Sequence, residues 1–312
     1  MKLSVLIPTF NQDCTQLVRA LRRQLPEGSE IVVADDGSSD MQAKLSNRSL
    51  MGLSNVVYWE SEHNLGRARI RNRLAQMAQG DYLLFVDSDA QVERDDFLQQ
   101  YLNCLPTEGV VCGGILHPVR LPNPEVSLRW RYEKNCEPHF TAKRRNRSPY
   151  DSLRTFNILL PRQLALSHPF DESITRYGYE DTLLGRQLED EGIGVLHIDN
   201  PLINGDLESN EIFLRKTEEA MKTLYDIRDR IGNKSRLLET YKRLDHCGLP
   251  RLLAYVFRHA KRAMQSNLTS SKPSVYLFNL YKLGFYCNLV ETYKNKKGRN
   301  LTTQPFLIGI SF

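Results

Sequence analysis

The chain has 312 residues, of which 41% are hydrophobic and 25% charged, a globular composition that is sufficient for one large or two modest domains. A formal net charge of +5 and a pI of 8.8 are only mildly basic, so anionic ligands such as nucleotide sugars are compatible, and we expect no nucleic-acid partner. Six scattered cysteines without C-x-x-C pairs, no signal-like leader and no long apolar run predict a cytoplasmic protein with reduced thiols.

The first ninety residues alternate short apolar runs with amphipathic segments. This alternation predicts an α/β fold with a doubly wound, mostly parallel sheet. The predicted strands are Leu3 to Ile7, Glu30 to Ala34, Val56 to Trp59 and Tyr82 to Val86, and the predicted helices lie near Cys14 to Leu25, Met41 to Leu45 and Arg67 to Gln79. A further helix is predicted over Asp95 to Leu102 and a further strand over Val110 to Gly113.

Two carboxylates follow the strand Tyr82 to Val86, whose uniformly apolar sequence is typical of a strand buried on both faces. Side chains alternate along an extended chain, so Asp87 and Asp89 project to the same side, about 7 Å apart. They lie at the carboxyl edge of the sheet, where open α/β sheets bind ligands. The pair therefore predicts a site for a hard divalent cation on a phosphate. The alternative is a pair of solvated loop acids.

Three further loops converge on the same edge. Pro8 is expected to end the first strand and to open a loop through Asn11, and Asp36 follows the second strand. Gly66 precedes a helix whose amide end can face a phosphate, with Arg67 and Arg71 one turn apart on that helix. A solvated basic face is the alternative for these arginines. The first βα turn lacks the G-x-G-x-x-G of dinucleotide-binding dehydrogenases.

In order and spacing, four segments resemble the motifs of family 2 glycosyltransferases: Val5 to Asn11, Asp35 to Ser38, Asn64 to Arg67 and Asp87 to Asp89. The resemblance covers roughly residues 3 to 205. It implies the GT-A fold, a nucleoside-diphosphate sugar donor, a divalent Mn²⁺ or Mg²⁺ cofactor and inversion at the anomeric carbon. UDP-sugars are the implied donors, and a glycan or lipid-linked glycan is the implied acceptor.

The resemblance also implies a role for each site residue. Pro8, Thr9, Asp36, Gly66, Arg67, Arg71 and Asp87 would bind the nucleotide, and Asp89 would hold the metal together with Asp87. Glu180 and Asp181 match the family's acidic pair before an acceptor-side helix, so Asp181 is the predicted general base and Glu180 is expected to hold an acceptor hydroxyl. From the residues alone, both acids could simply begin a helix.

One position departs from the family pattern. Many relatives carry a metal-binding histidine where this chain has Asn204, and the only nearby imidazole is His197. Either the metal has fewer protein ligands or His197 reaches it, although a lone strand histidine is usually structural. The departure keeps open a non-catalytic nucleotide- or glycan-binding module with the same fold.

We predict two regions: a GT-A domain over residues 1–205, with a nucleotide-binding half of about 1–90 and an acceptor half of about 91–205, and a helical C-terminal region over 206–312. Aromatic and basic residues mix between Arg129 and Arg147, which predicts either a sugar-stacking surface or a mobile loop. The aromatic residues between Tyr276 and Tyr293 are expected to pack on the catalytic domain. The alternative is peripheral contact of this basic region with the inner membrane face.

Overall fold

The computed structural model describes residues 1–232 and 234–302. Residues 303–312 of the predicted helical region lie outside the described residues. The strands are β1 (Leu3–Thr9), β2 (Glu30–Asp35), β3 (Val56–Glu60), β4 (Tyr82–Val86), β5 (Ala90–Gln91), β6 (Val110–Cys112), β7 (Ile115–Leu116), β8 (Asn157–Pro161), β9 (Val195–His197) and β10 (Leu202–Asn204). The helices are α1 (Thr15–Gln24), α2 (Met41–Arg48), α3 (Arg67–Met77), α4 (Phe97–Leu102), α5 (Ser127–Cys136), α6 (Ala142–Arg145), α7 (Arg162–Ser167), α8 (Glu180–Asp190), α9 (Asn210–Ile227), α10 (Arg236–His246), α11 (Pro250–Leu268) and α12 (Val275–Thr302).

A seven-stranded sheet with the order β3-β2-β1-β4-β8-β6-β9 forms the centre of the protein. All neighbours pair in parallel except β8, which runs antiparallel to both β4 and β6. The predicted α/β class with a mostly parallel sheet is therefore confirmed. Because β8 is reversed, the chain leaves β6 and enters β8 at the same edge of the sheet, the one where β4 ends.

The first strand is longer than the sequence predicts. We expected Pro8 to end it, but β1 continues to Thr9, and Pro8 and Thr9 pair with Ala34 and Asp35. The Thr9 carbonyl accepts a hydrogen bond from the Asp36 N–H (2.8 Å), so Thr9 faces β2. Adjacent residues direct their peptide groups to opposite sides, and Pro8 therefore faces away from β2, beyond the last β4 pair at Leu6. The missing N–H of proline costs no ladder hydrogen bond there.

Both faces of the sheet are covered by helices. Val5, Ile7 and Leu84 point to a core that α1 and α4 close, whereas Leu6 and Phe85 point to a second core under α3 and α8. This alternation follows from the two-residue period of a strand, and it confirms that β4 is buried on both faces.

The C-terminal helices share a third core with the predicted acceptor half. Leu128 of α5 and Leu183 of α8 are buried with residues of α9 to α12. The rings of Tyr132 and Phe278 meet edge to face at 5.1 Å, as the predicted packing of the C-terminal aromatic residues requires. Over the described residues, no helix has both the length and the apolar character that crossing a membrane would need.

A small second sheet joins distant parts of the chain near the end of β4. Its order is β5-β10-β7, with β10 antiparallel to β5 and parallel to β7. Asn204 pairs with Ala90, and the Gly205 N–H donates to the Asp89 carbonyl (3.0 Å). The last residue of β10, Asn204, therefore lies beside Asp89.

Candidate active site

The carboxyl edge of the sheet collects charged side chains from three elements. Asp87 follows β4, Arg67 and Arg71 come from the first two turns of α3, and Glu180 begins α8. Arg71 Nη2 lies 2.5 Å from Asp87 Oδ1, and Arg67 Nη2 lies 3.5 Å from Asp87 Oδ2. Arg71 is almost fully buried, so the alternative of a solvated basic face is wrong for this residue.

Arg67 bridges the predicted donor and acceptor sides of the site. Its Nε lies 2.6 Å from Glu180 Oε1, while its Nη2 reaches Asp87. Glu180 is buried, and its other oxygen, Oε2, has no hydrogen-bond partner within the described part of the chain. Burial alone would raise the pKa of Glu180, but the guanidinium groups of Arg67 and Arg71 outweigh it and hold the pKa below its usual value. Glu180 is therefore ionised and has one oxygen free for a hydrogen-bond donor.

Asp181 lies in a different electrostatic environment from its neighbour. Its Oδ1 accepts a hydrogen bond from the Thr155 hydroxyl (2.7 Å). Burial and the adjacent Glu180 charge raise the pKa of Asp181. Two neighbouring carboxyls with pKa values pushed in opposite directions are the arrangement that lets one bind and the other exchange a proton. This contrast supports the predicted division of roles between Glu180 and Asp181.

Two residues in the left-handed conformation precede α8 and place its N-terminus at the site. Gly178 has φ +94° and Tyr179 has φ +71°, so the chain reverses sharply just before Glu180. A side chain at position 178 would also approach Ala220 of α9, because its Cβ would lie 3.1 Å from the Ala220 Cβ. The glycine therefore allows α9 to pack against the start of α8.

The predicted nucleotide side is held together by Asp36. Its carboxylate accepts hydrogen bonds from the N–H groups of Leu65 (2.7 Å) and Gly66 (3.1 Å), so these two amides face Asp36. The buried Thr9 hydroxyl donates to the Gln12 carbonyl (2.9 Å). These contacts fix the loops at this edge of the sheet, and direct contact of Pro8, Thr9, Asp36 and Gly66 with a nucleotide stays a prediction.

Asn204 lies next to Asp89. In the amide orientation that satisfies both groups, its nitrogen donates to Asp89 Oδ2 (3.2 Å) and its oxygen accepts from Arg129 Nη2 (2.8 Å). Burial and the nearby Asp87 charge raise the pKa of Asp89 to about 6, against the lowering effect of Arg129. The ionised form of Asp89 is thus disfavoured by its surroundings, and a bound cation would stabilise it.

No sequence pattern indicated that Lys216 would lie near Asp89. Arg129 of α5 and Lys216 of α9 both pair with Glu208. Lys216 Nζ also lies 5.3 Å from the centre of the Tyr177 ring, and burial lowers the pKa of its ammonium group. The segment from Arg129 to Arg147 forms α5 and α6 instead of a mobile loop. Lys216 was missed because its helix shows only amphipathic spacing, which carries no functional signal.

His197 is a structural residue. Its Nδ1 lies 3.0 Å from Arg145 Nη1 and its Nε2 lies 2.9 Å from the Pro149 carbonyl oxygen. Burial lowers the pKa of His197 to about 4, so the ring is neutral. Both nitrogens are engaged away from Asp89, so the alternative in which His197 reaches the metal is wrong, and His197 has the structural role that is usual for a lone strand histidine.

The residues at the site fit a divalent metal that takes only one or two ligands from the protein. Within residues 1–232 and 234–302, no three His, Cys, Asp or Glu side chains converge on one point. Asp87 is paired with two arginines. Asp89 is therefore the carboxylate that is more available to a metal ion. Mg²⁺ is usually held by one or two carboxylates and completes its shell with phosphate oxygens and water. One or two aspartates and a diphosphate meet that requirement.

Two relatives with known names are similar in sequence to part of this chain. An uncharacterized glycosyltransferase from Haemophilus influenzae is 31% identical over 103 residues, which are 32% of this chain and 41% of the relative. The poly(ribitol-phosphate) beta-N-acetylglucosaminyltransferase TarS from Staphylococcus aureus is 32% identical over 99 residues, 30% of this chain and 17% of TarS. The matched part of the chain thus spans less than half the length of these relatives.

A solved structure shows the same fold. The mannosyltransferase PcManGT from Pyrobaculum calidifontis, solved with GDP-Man and Mn²⁺, superposes with a TM-score of 0.55 at 15% identity, over 94% of this chain and 87% of that one. This likeness confirms the predicted GT-A-type fold with its helical C-terminal part. The sequence model of glycosyl transferase family 2 matches residues 4–158. Through these residues, the chain belongs to glycosyl transferase family 2.

Proposed function

We propose that the protein is an inverting glycosyltransferase that moves a sugar from a nucleoside-diphosphate sugar, with a UDP-sugar as the expected donor, to a hydroxyl of a glycan or lipid-linked glycan. The observation that carries this proposal is the Arg67 bridge. One side chain contacts both Asp87, on the predicted donor side, and Glu180, beside the predicted base. The two halves of a transfer site are therefore adjacent.

On the donor side, Asp89 and Asp87 would hold Mn²⁺ or Mg²⁺, which when bound neutralises charge on the leaving diphosphate. The protein adds its own positive charge, because Arg67, Arg129 and Lys216 lie around the same carboxylates. Preorganised cations in a partly dry site stabilise developing negative charge without having to reorganise. Thr9 and Asp36 would position the base and ribose.

On the acceptor side, Glu180 Oε2 would accept a hydrogen bond from the acceptor and orient its hydroxyl. Asp181 takes the hydroxyl proton while the hydroxyl oxygen bonds to the anomeric carbon. The bond between that carbon and the diphosphate oxygen breaks, and its electron pair leaves with the diphosphate. Attack opposite to the leaving group inverts the anomeric configuration.

The names of the relatives support the class of acceptor. TarS is named for transfer of N-acetylglucosamine to poly(ribitol-phosphate), a polymer of hydroxyl-bearing units. The hydroxyl acceptor of the proposal belongs to the same chemical class. The sugar and the linkage depend on a few loop contacts that neither the fold nor the family determines.

The test is nucleotide release from a panel of nucleotide sugars, with Mn²⁺ or with a chelator, alongside calorimetric binding. We expect metal-dependent release from at least one donor, and loss of it in Asp89→Ala. Asp95→Ala, which removes an exposed acid from the loop after β5, serves as the matched control. Donor binding without release or transfer by the wild-type protein would favour the non-catalytic binding module.

A further inference from the structure

The outward face of α11 carries apolar side chains where a soluble helix normally carries polar ones. Leu252, Tyr255 and Val256 are 57%, 54% and 51% exposed. Their spacing of three and four residues places them in one stripe along the helix. The opposite face of α11 is already packed, since Ala254 and Phe257 are buried against the rest of the helical region. We call the stripe of Leu252, Tyr255 and Val256 the α11 face.

The residues around the α11 face are mainly basic, and one of them, Arg251, pairs with Glu291 of α12 (3.5 Å). The 45 residues from His246 to Val290 contain no Asp or Glu and six Lys or Arg. Three of the six, Arg251, Arg258 and Arg262, are exposed and recur at seven and four residues on α11. They therefore line one edge of the apolar stripe.

The apolar centre and the basic edge together indicate which kind of partner binds the α11 face. A symmetric contact with a second copy would bring one arginine edge near another, and Glu291, which pairs with Arg251, is buried and cannot reach the arginines of a second copy. A soluble anionic polymer would use the arginines and leave Leu252 and Val256 in water. A bilayer with anionic lipids uses both, because apolar side chains enter the headgroup boundary while arginines reach lipid phosphates.

We propose that the α11 face docks on an anionic lipid surface, with α11 lying in the plane of the membrane. The contact is reversible, since a few apolar side chains and three arginines are a modest anchor. Each basic residue near an anionic surface strengthens binding by about fivefold. This docking is independent of the proposed transfer reaction and can hold or fail without it.

The experiment is co-sedimentation of the full chain with vesicles of phosphatidylcholine alone or mixed with phosphatidylglycerol, at low and high salt. We expect binding to the mixed vesicles that weakens with salt. The double variant Leu252→Ser, Val256→Ser should reduce partitioning by roughly tenfold or more, because two exposed apolar groups are lost. Arg258→Gln with Arg262→Gln should reduce it by about 25-fold at low salt.

A matched control removes two equally exposed apolar side chains elsewhere, with Leu45→Ser and Met51→Ser, and should bind as wild type. Thermal unfolding of each variant verifies that the fold is intact. Wild-type protein that stays in the supernatant overturns the proposal, as does a folded Leu252 and Val256 variant that sediments normally. Equal binding to neutral vesicles also overturns it, and so does a dimer that this variant abolishes.

Discussion

Replacing Asp181 by Asn separates a catalytic role from a structural one. The Thr155 hydroxyl can still donate to the amide oxygen at Oδ1, so the contact that holds the side chain survives. What is lost is the ability to accept a proton. Burial and Glu180 already disfavour the charge at Asp181, as its raised pKa shows. Above that pKa, the neutral amide should therefore leave the free energy of unfolding unchanged or increase it.

The expected loss of rate is much larger than any change in stability. Removing a general base typically slows the chemical step by about 10²- to 10⁴-fold, which corresponds to about 3–5 kcal/mol of activation free energy. If Asp181 only complements the helix dipole, Asn should instead cost about 0.3–1 kcal/mol of stability and leave turnover nearly unchanged. The two roles thus predict opposite patterns.

The assay measures kcat for transfer, donor affinity and melting temperature for the variant and for Asp190→Asn. Asp190 lies at the other end of α8, is largely exposed and pairs with Arg186, so its replacement should change neither rate nor stability appreciably. Donor affinity should match wild type in both variants. Near wild-type transfer by Asp181→Asn would refute the assignment, and Glu180 would be tested next.

Three further outcomes are expected. Because the pKa of Asp89 is raised to about 6, protons compete with the metal below that pH, and calorimetry should show Mn²⁺ affinity falling roughly tenfold from pH 7 to pH 5, a trend absent in Asp89→Asn. Asn204→His puts an imidazole beside Asp89 and should tighten Mn²⁺ binding by about tenfold in the same titration; unchanged affinity would contradict the geometry. His197→Gln breaks the contacts with Arg145 and Pro149, so urea unfolding should show a loss of about 1–3 kcal/mol with Mn²⁺ affinity unaltered.

Local sequence patterns were sufficient for the first four strands, apart from the end of β1, and for the acids that follow β2 and β4. The run Tyr82 to Val86 is apolar at every position and is bounded by Asp81 and Asp87, so both its extent and its burial followed from the residues. Pro8 misled the prediction because a proline is excluded from a strand only where its missing N–H would face a partner. That condition depends on where β4 stops pairing, which is not a local property.

Local sequence patterns could not predict the long-range ion pairs between the charged side chains of the site. Arg67 and Glu180 are 113 residues apart, and their pairing depends on how α3 and α8 pack on the same face of the sheet. The pairing of Arg129 with Glu208 likewise depends on how α9 docks on α5. The motif predicts roles for particular acids, but only the tertiary structure shows which cationic side chain each of them contacts.

The reversed strand β8 has an evolutionary consequence. Residues 113–156 leave the sheet after β6 and return to it at β8 along one edge, and they carry α5, α6 and Thr155. This segment can therefore be lengthened or exchanged without changing the register of β1 to β4. Descendants of one ancestral gene could keep the nucleotide half intact and acquire new acceptors by diverging here.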